Sequence, residues 1–347
     1  MWSTGGSAVT SDNLLSINYV LEDTSLYGGV KVVFHHADLL RRCGHRVRVV
    51  SPGPRPDWYD VGDDFVQVPA LGAEHIPEAD LHVATFWTTL APACSLPSGR
   101  AVHFCQGFEA ALEHNTEHHP AIVEAYSRLV PTWAVSAPLA ELNRQRFGRD
   151  VRLTPPALER FWRPDGRLEP NPRPRVLVPH PFEFYMKGVE TALNAVRALL
   201  ARGVELDLVR LSQWPLSDAE RSLLEPAEFH HDLPPREVAA LVAGCDLVLA
   251  PSWASEGFGL AVLEGMACGV PVVASEIPSH QSFASGAAVF APVGDADAFA
   301  AAAERLLTDP VRWRRRREAG LRAAESFTEE VVAPLLDDAA RWAAGRP

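Results

Sequence analysis

The chain has 347 residues, 47% of them hydrophobic and 22% charged, and a formal net charge of −12. Single cores stop growing near ~250 to 300 residues, so this length predicts two domains, and the ordinary composition excludes disordered and fibrous classes. The acidic balance argues against nucleic acid as a partner, because phosphate backbones are bound by basic faces.

Cysteine content and the N-terminal residues bear on the cellular compartment. The five cysteines are widely spaced and form no Cys-x-x-Cys pair, which predicts reduced thiols rather than a zinc or redox site. Residues 1–13 contain no basic region followed by an apolar run, so we expect no secretory signal and a cytoplasmic protein. No apolar stretch approaches the ~20 residues that span a bilayer, and contact with a membrane is expected to be peripheral at most.

The first half of the chain alternates strand-like and helix-like segments. Residues 14–21 are an apolar run of strand formers, residues 32–40 are apolar at helical spacing, and residues 47–50 are typical of a second strand. This succession has the size of a βαβ crossover. Similar segments follow at residues 65–68, 81–84, 101–104, 122–129 and 139–147. The pattern predicts a doubly wound parallel sheet.

Residues 155–174 are rich in proline and glycine, lack hydrophobic periodicity and are predicted to be the interdomain linker. The α/β alternation restarts after them. Strands are predicted at 175–178, 206–211, 247–250 and 271–274, and helices at 189–201, 236–242, 260–268 and 299–307. We therefore predict two α/β domains, residues 1–160 and 170–327.

The most specific pattern is PSWASEGFGLAVLEGMACGVP, residues 251–271. A strand end is followed by a loop with Glu256, a turn with Gly257 and Gly259, and a helix with Glu264. Ligands of open α/β sheets bind at such carboxyl ends of strands, and free amides at the helix start favour an anion such as a pyrophosphate. Glu264 lies among apolar residues, where a buried carboxylate is costly unless it accepts hydrogen bonds. The two hydroxyl groups of a ribose diol can donate them. An exposed helix face is the alternative for this glutamate.

This segment resembles the signature of glycosyltransferase family 4, the retaining enzymes of the GT-B fold, in which seven residues separate two glutamates. Glu256 and Glu264 have this spacing, and the adjoining EGFG and Ala-x-Gly-x-Pro-Val-Val patterns match as well. The resemblance implies two Rossmann-like domains facing across a cleft, with a last helix in residues 328–347 that crosses back onto the first domain. It also implies that Glu256 meets the transferred sugar and that Glu264 holds the ribose.

Two further segments are similar to donor-binding elements of that family. The Tyr27-Gly28-Gly29-Val30 turn resembles its glycine-rich loop, where backbone amides approach a diphosphate, and a simple tight turn is the alternative. Lys187 resembles the phosphate-binding lysine, and an exposed lysine is the alternative. The arginine that the family usually places before this lysine is missing, and the sequence leaves three substitutes open: His180, Arg163 and Arg210.

Gln106 and Glu109 follow a predicted strand, where many relatives in that family carry a histidine beside the reacting sugar. Their Gln-x-Phe-Glu form is similar to a branch that includes bacterial rhamnosyltransferases using a dTDP-sugar. We expect both to line the anomeric centre or the acceptor and, with Glu256 and Lys187, to be catalytic; ordinary loop chemistry is the alternative. The expected donor site comprises Gly28, Gly29, Val30, Lys187, Leu233, Glu256, Gly257, Phe258, Gly259, Leu260 and Glu264.

No metal and no cofactor is expected besides the nucleotide-sugar co-substrate. His114 and His118 are one helical turn apart, but Asn115 breaks the His-Glu-x-x-His pattern, and residues 113–119 are expected to form a polar loop near the acceptor entrance. P-loop, nucleophile-elbow and complete dinucleotide-binding motifs are missing from the sequence. The basic run at residues 312–317 is typical of a solvated helix face, with contact to anionic lipid as the alternative.

The sequence thus predicts a retaining glycosyltransferase that moves a sugar from a dTDP-, UDP- or GDP-linked donor to a hydroxyl of a glycan, a lipid or a natural product. The alternatives are a GT-B nucleotide-sugar epimerase and a non-catalytic protein that binds a sugar nucleotide or a glycan. The alanine- and arginine-rich composition indicates a GC-rich bacterial genome and selects neither the donor base nor the acceptor.

Overall fold

The computed structural model describes residues 14–346. Within this part, two parallel β-sheets lie one in each half of the chain, and helices flank both. The prediction of two doubly wound, parallel-sheet α/β domains is confirmed. The segment for which no secretory signal is predicted, residues 1–13, lies outside the described residues.

The first sheet has seven strands in the order β3-β2-β1-β4-β5-β6-β7, and every neighbouring pair is parallel. The strand order reverses between β1 and β4, which is the place where open α/β sheets form a ligand crevice at their carboxyl ends. The strands are β1 Ser16–Val20, β2 Arg46–Ser51, β3 Phe65–Gln67, β4 Leu81–Ala84, β5 Arg100–Cys105, β6 Thr132–Ala134 and β7 Val151–Leu153.

The second sheet has six parallel strands in the order β10-β9-β8-β11-β12-β13, and its order reverses between β8 and β11. A second crevice is therefore expected at the carboxyl ends of these two strands. The strands are β8 Arg175–Pro179, β9 Asp207–Ser212, β10 Glu228–His231, β11 Leu247–Ala250, β12 Val272–Ser275 and β13 Val289–Ala291.

The α-helices of the described residues divide between the two sheets. The first half contains α1 Gly28–Arg42, α2 Trp87–Cys94, α3 His119–Tyr126 and α4 Ala137–Phe147. The second half contains α5 Val189–Ala201, α6 Asp218–Leu223, α7 Pro235–Ala243, α8 Leu260–Ala267, α9 Pro278–Ala284, α10 Ala296–Leu307, α11 Pro310–Ala324 and α12 Glu329–Ala344. The basic run at residues 312–317 lies on α11, as a helical face would require.

The residues of helix α1 explain why its N-terminus lies at the crevice. Its apolar residues, among them Val33, Phe34 and Leu40, are buried on one face against the sheet. Arg41 and Arg42 in the last turn complement the negative end of the helix dipole. Gly44, with a φ of 99°, adopts the left-handed conformation that lets the chain turn into β2. The helix starts at Gly28, so the glycines predicted to form a turn are instead its first residues.

The last helix, α12, packs on the first sheet although it follows the second in sequence. His45 and His35 lie 2.6 Å from Asp337 and 2.9 Å from Glu329, respectively. The buried Trp133 donates its indole N–H to the carbonyl of Ala339 at 3.2 Å. These contacts join the chain end to the first half, in the manner that the resemblance implies. The predicted domain boundaries at residues 160 and 170 stay predictions.

Four strands escaped sequence analysis: β6, β7, β10 and β13. Each has only three or four residues. A run this short does not display the alternation on which strand prediction depends. Their neighbours in the sheet supply the hydrogen bonds that define them.

The expectation of a polar loop at residues 113–119 is wrong. Glu113–His118 form a 3-10 helix that leads directly into α3. The Asn115 side chain donates to the carbonyl of Glu109 at 3.1 Å, and the amide of Glu113 donates to the Tyr185 hydroxyl at 2.7 Å. These contacts with both halves of the chain fix the segment.

Candidate functional site

A cleft of about 700 Å³ lies between the carboxyl ends of the two sheets. Its walls come from the segments after β1, β4 and β5 in the first domain and after β8 to β11 in the second. The structure brings all the predicted site residues to this cleft, and their chemical roles stay predictions. The site residues that line it are Gly28, Gly29, Val30, Gln106, Glu109, Lys187, Leu233, Glu256, Gly257, Phe258, Gly259, Leu260 and Glu264.

Lys187 and Glu256 form a close ion pair in the second domain. Nζ of Lys187 lies 2.6 Å from Oε2 of Glu256, and both side chains are largely buried. The turn of Gly188, with a φ of 64°, places this lysine there: a Cβ at Gly188 would lie 2.1 Å from the Pro251 carbonyl oxygen. The segments after β8 and β11 are therefore in direct backbone contact, and only glycine permits it.

The charge state of Glu256 follows from its neighbours. Burial favours the protonated form, but the charge of Lys187 and its hydrogen bond outweigh burial and lower the pKa of Glu256 to about 2. Burial and the same lysine lower the pKa of His180 to about 3. The motif glutamate is thus a carboxylate, and the cleft histidine beside it is neutral.

Lys31 and Glu264 form a second close pair, which links the two domains. Nζ of Lys31, on α1, lies 2.7 Å from Oε1 of Glu264, on α8, and 3.9 Å from Oε2 of Glu159. Burial and the charge of Glu159 raise the pKa of Glu264, although Lys31 opposes the shift. The two carboxylates outweigh burial and raise the pKa of Lys31. Lys31, Glu159 and Glu264 together carry a net negative charge when all three are ionised. This charge favours protonation of Glu264.

Sequence analysis missed Lys31, although a signal was present. Of the 32 lysines and arginines in the chain, only Lys31 and Lys187 are lysines. Each lies in the cleft and each pairs with one glutamate of the spaced motif. The scarcity of lysine in an arginine-rich chain is the signal that could have drawn attention to Lys31.

The starts of α1 and α8 approach each other across the cleft. A Cβ at Gly28 would lie 3.0 Å from Cδ1 of Leu260, the first residue of α8. A Cβ at Gly29 would lie 3.2 Å from the side-chain oxygen of Gln106. The first amides of a helix have no partner within the helix and carry the positive end of its dipole. Two such helix starts provide a place for an anion with two phosphates.

Gly257 and Gly259 are required by close packing on two sides of the motif. A Cβ at Gly257 would lie 1.9 Å from the Gln106 carbonyl oxygen, which belongs to the other domain. Ser136 strengthens this interdomain contact by donating its hydroxyl to the Gly257 carbonyl at 2.8 Å. Gly259 has a φ of 105°, and a Cβ there would lie 2.5 Å from Cδ2 of His280. The two domains therefore touch at the loop that carries Glu256.

Glu109 is a buried carboxyl group at the first-domain side of the cleft. The Tyr126 hydroxyl donates to its Oε2 at 2.6 Å. Burial raises the pKa of Glu109 to about 7, although the bond from Tyr126 and the charge of Arg149 act in the opposite direction. The group therefore changes its charge near neutral pH.

The three candidates for the missing family arginine differ in their position relative to the cleft. His180 lines the cleft. Arg210 is fully buried and bonds with Glu220 and the carbonyls of Val178 and His180. Arg163 is exposed and does not line the cleft. The structure adds Lys31, a cationic side chain in the cleft, to these candidates.

Two further findings concern metal and membrane binding by residues 14–346. No three His, Cys, Asp or Glu side chains of these residues converge as metal ligands would. None of the helices in this part of the chain has both the length and the apolar character needed to cross a bilayer. The expectation that the reaction needs no metal stays a prediction.

Comparison with known proteins identifies the chemistry of this cleft. Residues 173–309 match the family model described as glycosyl transferases group 1. The phosphatidyl-myo-inositol mannosyltransferase of Mycolicibacterium smegmatis is 26% identical over 318 residues, which are 81% of this chain and 82% of that protein. The chain is a glycosyltransferase, and these matches support the family 4 type. The enzyme is a hexosyltransferase, the class to which this mannosyltransferase also belongs.

Solved structures support the fold of this glycosyltransferase. The sucrose-phosphate synthase of Thermosynechococcus elongatus superposes with a TM-score of 0.77 at 18% identity, covering 94% of this chain and 98% of that one. An Anabaena protein, HepE, in complex with UDP-glucose superposes with a TM-score of 0.76 at 14% identity, covering 94% of this chain and 100% of the other. The predicted GT-B fold is confirmed.

Proposed function

We propose that this glycosyltransferase moves a hexosyl group, with retention of anomeric configuration, from a nucleoside diphosphate sugar to an acceptor hydroxyl. The observation that carries the proposal is the pairing of both motif glutamates with the chain's two lysines inside one cleft. A diphosphate that takes either lysine as its counterion frees the paired glutamate to accept hydrogen bonds from sugar or ribose hydroxyls. Retention rests on the resemblance to family 4.

The diphosphate is assigned to the space between the starts of α1 and α8. Lys187 and the amides of Gly28, Gly29, Val30 and Gly259 supply positive charge there. When the bond from the sugar to the diphosphate breaks, negative charge grows on the leaving group. Donors fixed around that group stabilise the transition state more than the ground state. We assign Glu256 to the hydroxyls of the transferred sugar and Glu264 to the ribose.

The acceptor is assigned to the first-domain side of the cleft, beside Gln106 and Glu109. Its hydroxyl attacks the anomeric carbon from the face that the diphosphate leaves. The contact of Gly257 with Gln106 joins the two domains at the motif loop. We expect closure of the domains to exclude water that would hydrolyse the donor. Leu233 and the neighbouring residues after β10 are proposed to contact the nucleobase. We expect the reaction to need no metal and to take place in the cytoplasm, with peripheral membrane contact at most.

The HepE complex with UDP-glucose is consistent with a nucleotide sugar in this fold, and the donor base of this chain is left to measurement. Thermal unfolding is recorded with UDP, GDP, ADP and dTDP. A ligand at 100 times its dissociation constant adds about 2.7 kcal/mol to the free energy of unfolding. We expect one nucleotide to raise the melting temperature of the wild type and to lose this effect in Glu264→Ala. No shift with any nucleotide would contradict the donor site.

Retention is tested separately with the donor sugar of that nucleotide. The anomeric configuration of the first product is read by NMR before it can equilibrate. The same configuration as in the donor supports the proposal, and the opposite one contradicts it while leaving the donor site intact.

A further inference from the structure

The first-domain half of the cleft carries several carboxylates and few cations, although it lies beside the proposed diphosphate site. We define the acceptor wall as the cleft-lining residues between β1 and α1 together with those that follow β4 and β5. Its carboxylates are Glu22, Asp23 and Glu109. Among the described residues that line the cleft there is no arginine, and Lys31, the lysine of α1, is held by Glu264 and Glu159. Residues 1–13 contain neither lysine nor arginine.

Phosphate esters are bound in proteins by lysine, by arginine or by free helix starts. Two helix starts face the acceptor wall, those of α1 and α2. The start of α1 lies against Leu260 of α8 and is assigned to the donor. The start of α2 remains, and a phosphate on an acceptor would be directed there.

A carboxylate already lies against the start of α2. The hydroxyl of Thr88, the second residue of the helix, donates to Oε2 of Glu22 at 2.9 Å. Oγ1 of Thr89 accepts hydrogen bonds from the amides of Thr85 and Phe86 at 3.0 and 3.1 Å. The amides just before the helix are therefore taken by its own cap, and a negative side chain lies where a phosphate would approach the helix start.

The open side of the cleft offers aromatic rings in place of cations. Phe86 lines the acceptor wall, and Phe184 and Trp214 line the facing wall, with ring centroids of the last two 6.4 Å apart. His114 lies beside Phe184, with their ring centroids 6.0 Å apart. Aromatic faces and neutral hydrogen-bonding groups suit the C–H and O–H groups of a sugar or cyclic polyol.

We propose that the acceptor is a polyhydroxylated molecule, a sugar or cyclic polyol, with no phosphate on the part that enters the cleft, and that Glu22 is the residue that rejects phosphate esters. The proposal rests on the proposed function, because it assigns the diphosphate to the lysine side of the cleft. Like charges brought together weaken binding, and specificity of this kind is built by repulsion as well as by attraction.

Binding to the full chain tests the proposal with matched probes. The donor side is first saturated with the nucleoside diphosphate that raises the melting temperature most. Dissociation constants are then measured by ligand-observed NMR for two pairs: myo-inositol with D-myo-inositol 3-phosphate, and glucose with glucose 6-phosphate. We expect at least one polyol to bind about tenfold or more tightly than its phosphate ester. An ester that binds as well as its polyol, or two pairs in which neither member binds, would overturn the proposal.

Two variants separate the role of Glu22 from the rest of the wall. Glu22 is exposed, so its replacement leaves the core intact. In Glu22→Gln the ester should gain about tenfold in affinity, whereas the polyol should change by less than about twofold. The control is Glu169→Gln, an exposed glutamate outside the cleft, in which neither probe should change. An ester affinity that stays unchanged in Glu22→Gln would remove this residue from the proposal.

The nucleoside diphosphate provides the independent reference. If it fails to bind the wild type, the proposed function fails, whatever the acceptor probes do. If it binds and the esters are preferred, only the acceptor proposal fails.

Discussion

The two lysine–glutamate pairs of the cleft have almost the same geometry and opposite electrostatics. The Lys187–Glu256 and Lys31–Glu264 pairs measure 2.6 and 2.7 Å, and all four side chains are largely buried. Yet the pKa of Glu256 falls to about 2, whereas the pKa of Glu264 rises. Burial opposes ionisation at both sites, so the difference comes from the third partners.

Glu256 is paired with Lys187, and none of the groups that shift its pKa is a second carboxylate. Glu264 shares its lysine with Glu159. The first pair also lies within one domain, whereas the second joins α1 to α8 across the cleft. A fixed charge therefore suits the site proposed for the transferred sugar, and a carboxylate whose charge depends on domain contact suits the site proposed for the ribose.

The largest effect should come from removing the charge of Glu256. Glu256→Gln is expected to lower kcat roughly 10²- to 10³-fold, because a preorganised charge at the reacting sugar is lost. Steady-state release of the nucleoside diphosphate in the presence of acceptor measures it. Glu276→Gln, an exposed glutamate in the same domain, is the control and should behave as the wild type. Unchanged donor turnover in Glu256→Gln would remove this residue from catalysis.

A slightly smaller effect is expected from separating the domains at the motif. A Cβ in Gly257→Ala would lie 1.9 Å from the Gln106 carbonyl oxygen, so the motif loop must move. Displacement of about 1 Å at a reacting centre costs roughly 10²-fold in kcat/KM. In the same cleft, Gly107→Ala is a matched control because its Cβ would meet nothing within 4 Å. Equal activity of the two variants would show that this interdomain contact is dispensable.

The interdomain pair should respond more weakly and in a pH-dependent way. In Lys31→Met the pKa of Glu264 rises further, because the charge that opposes its protonation is gone. Affinity for the nucleoside diphosphate should fall about tenfold, the scale of one hydrogen bond to a charged group. The loss should grow as the pH is lowered, because protonation of Glu264 then increases, and Lys31→Arg should retain most of the affinity. A loss that is independent of pH would contradict this account of Glu264.

The smallest change concerns Glu109, which lies outside both pairs. Its pKa near 7 means that the group is neutral below that pH and ionised above it. If the ionised form accepts the acceptor's hydrogen bond, kcat/KM rises as the pH passes through about 7. Glu109→Gln should remove this rise and lower activity at pH 8 about threefold. A pH profile that is the same in wild type and variant would assign the rise to another group.

The sequence predicts those site residues that lie close to one another along the chain, and it misses those that meet only after folding. Glu256, the glycines and Glu264 lie within one short segment, and their spacing alone predicts a loop after a strand, a turn and a helix. Lys31 could not be assigned in this way. It meets Glu264 only because two separate domains close over the same cleft.

The fold shows the same limit. Longer helices such as α1 and α5 follow from their apolar periodicity, and the predicted bounds of α5 are those observed. The short strands β6, β7, β10 and β13 depend on neighbours that are distant in sequence. The 3-10 helix at Glu113–His118 is likewise set by contacts with Glu109 and Tyr185, which no local pattern shows.

Calorimetric titration of the nucleoside diphosphate into three proteins tests the central claim most directly. The proteins are the wild type, Glu264→Gln and Glu256→Gln. We predict that Glu264→Gln weakens binding about tenfold, because a hydrogen-bond acceptor for the ribose loses its charge. We also predict that Glu256→Gln binds the nucleotide as well as the wild type or better, because Lys187 becomes free for the diphosphate. Undiminished binding in Glu264→Gln, or equal weakening in both variants, would contradict the division of sugar and ribose between the two glutamates.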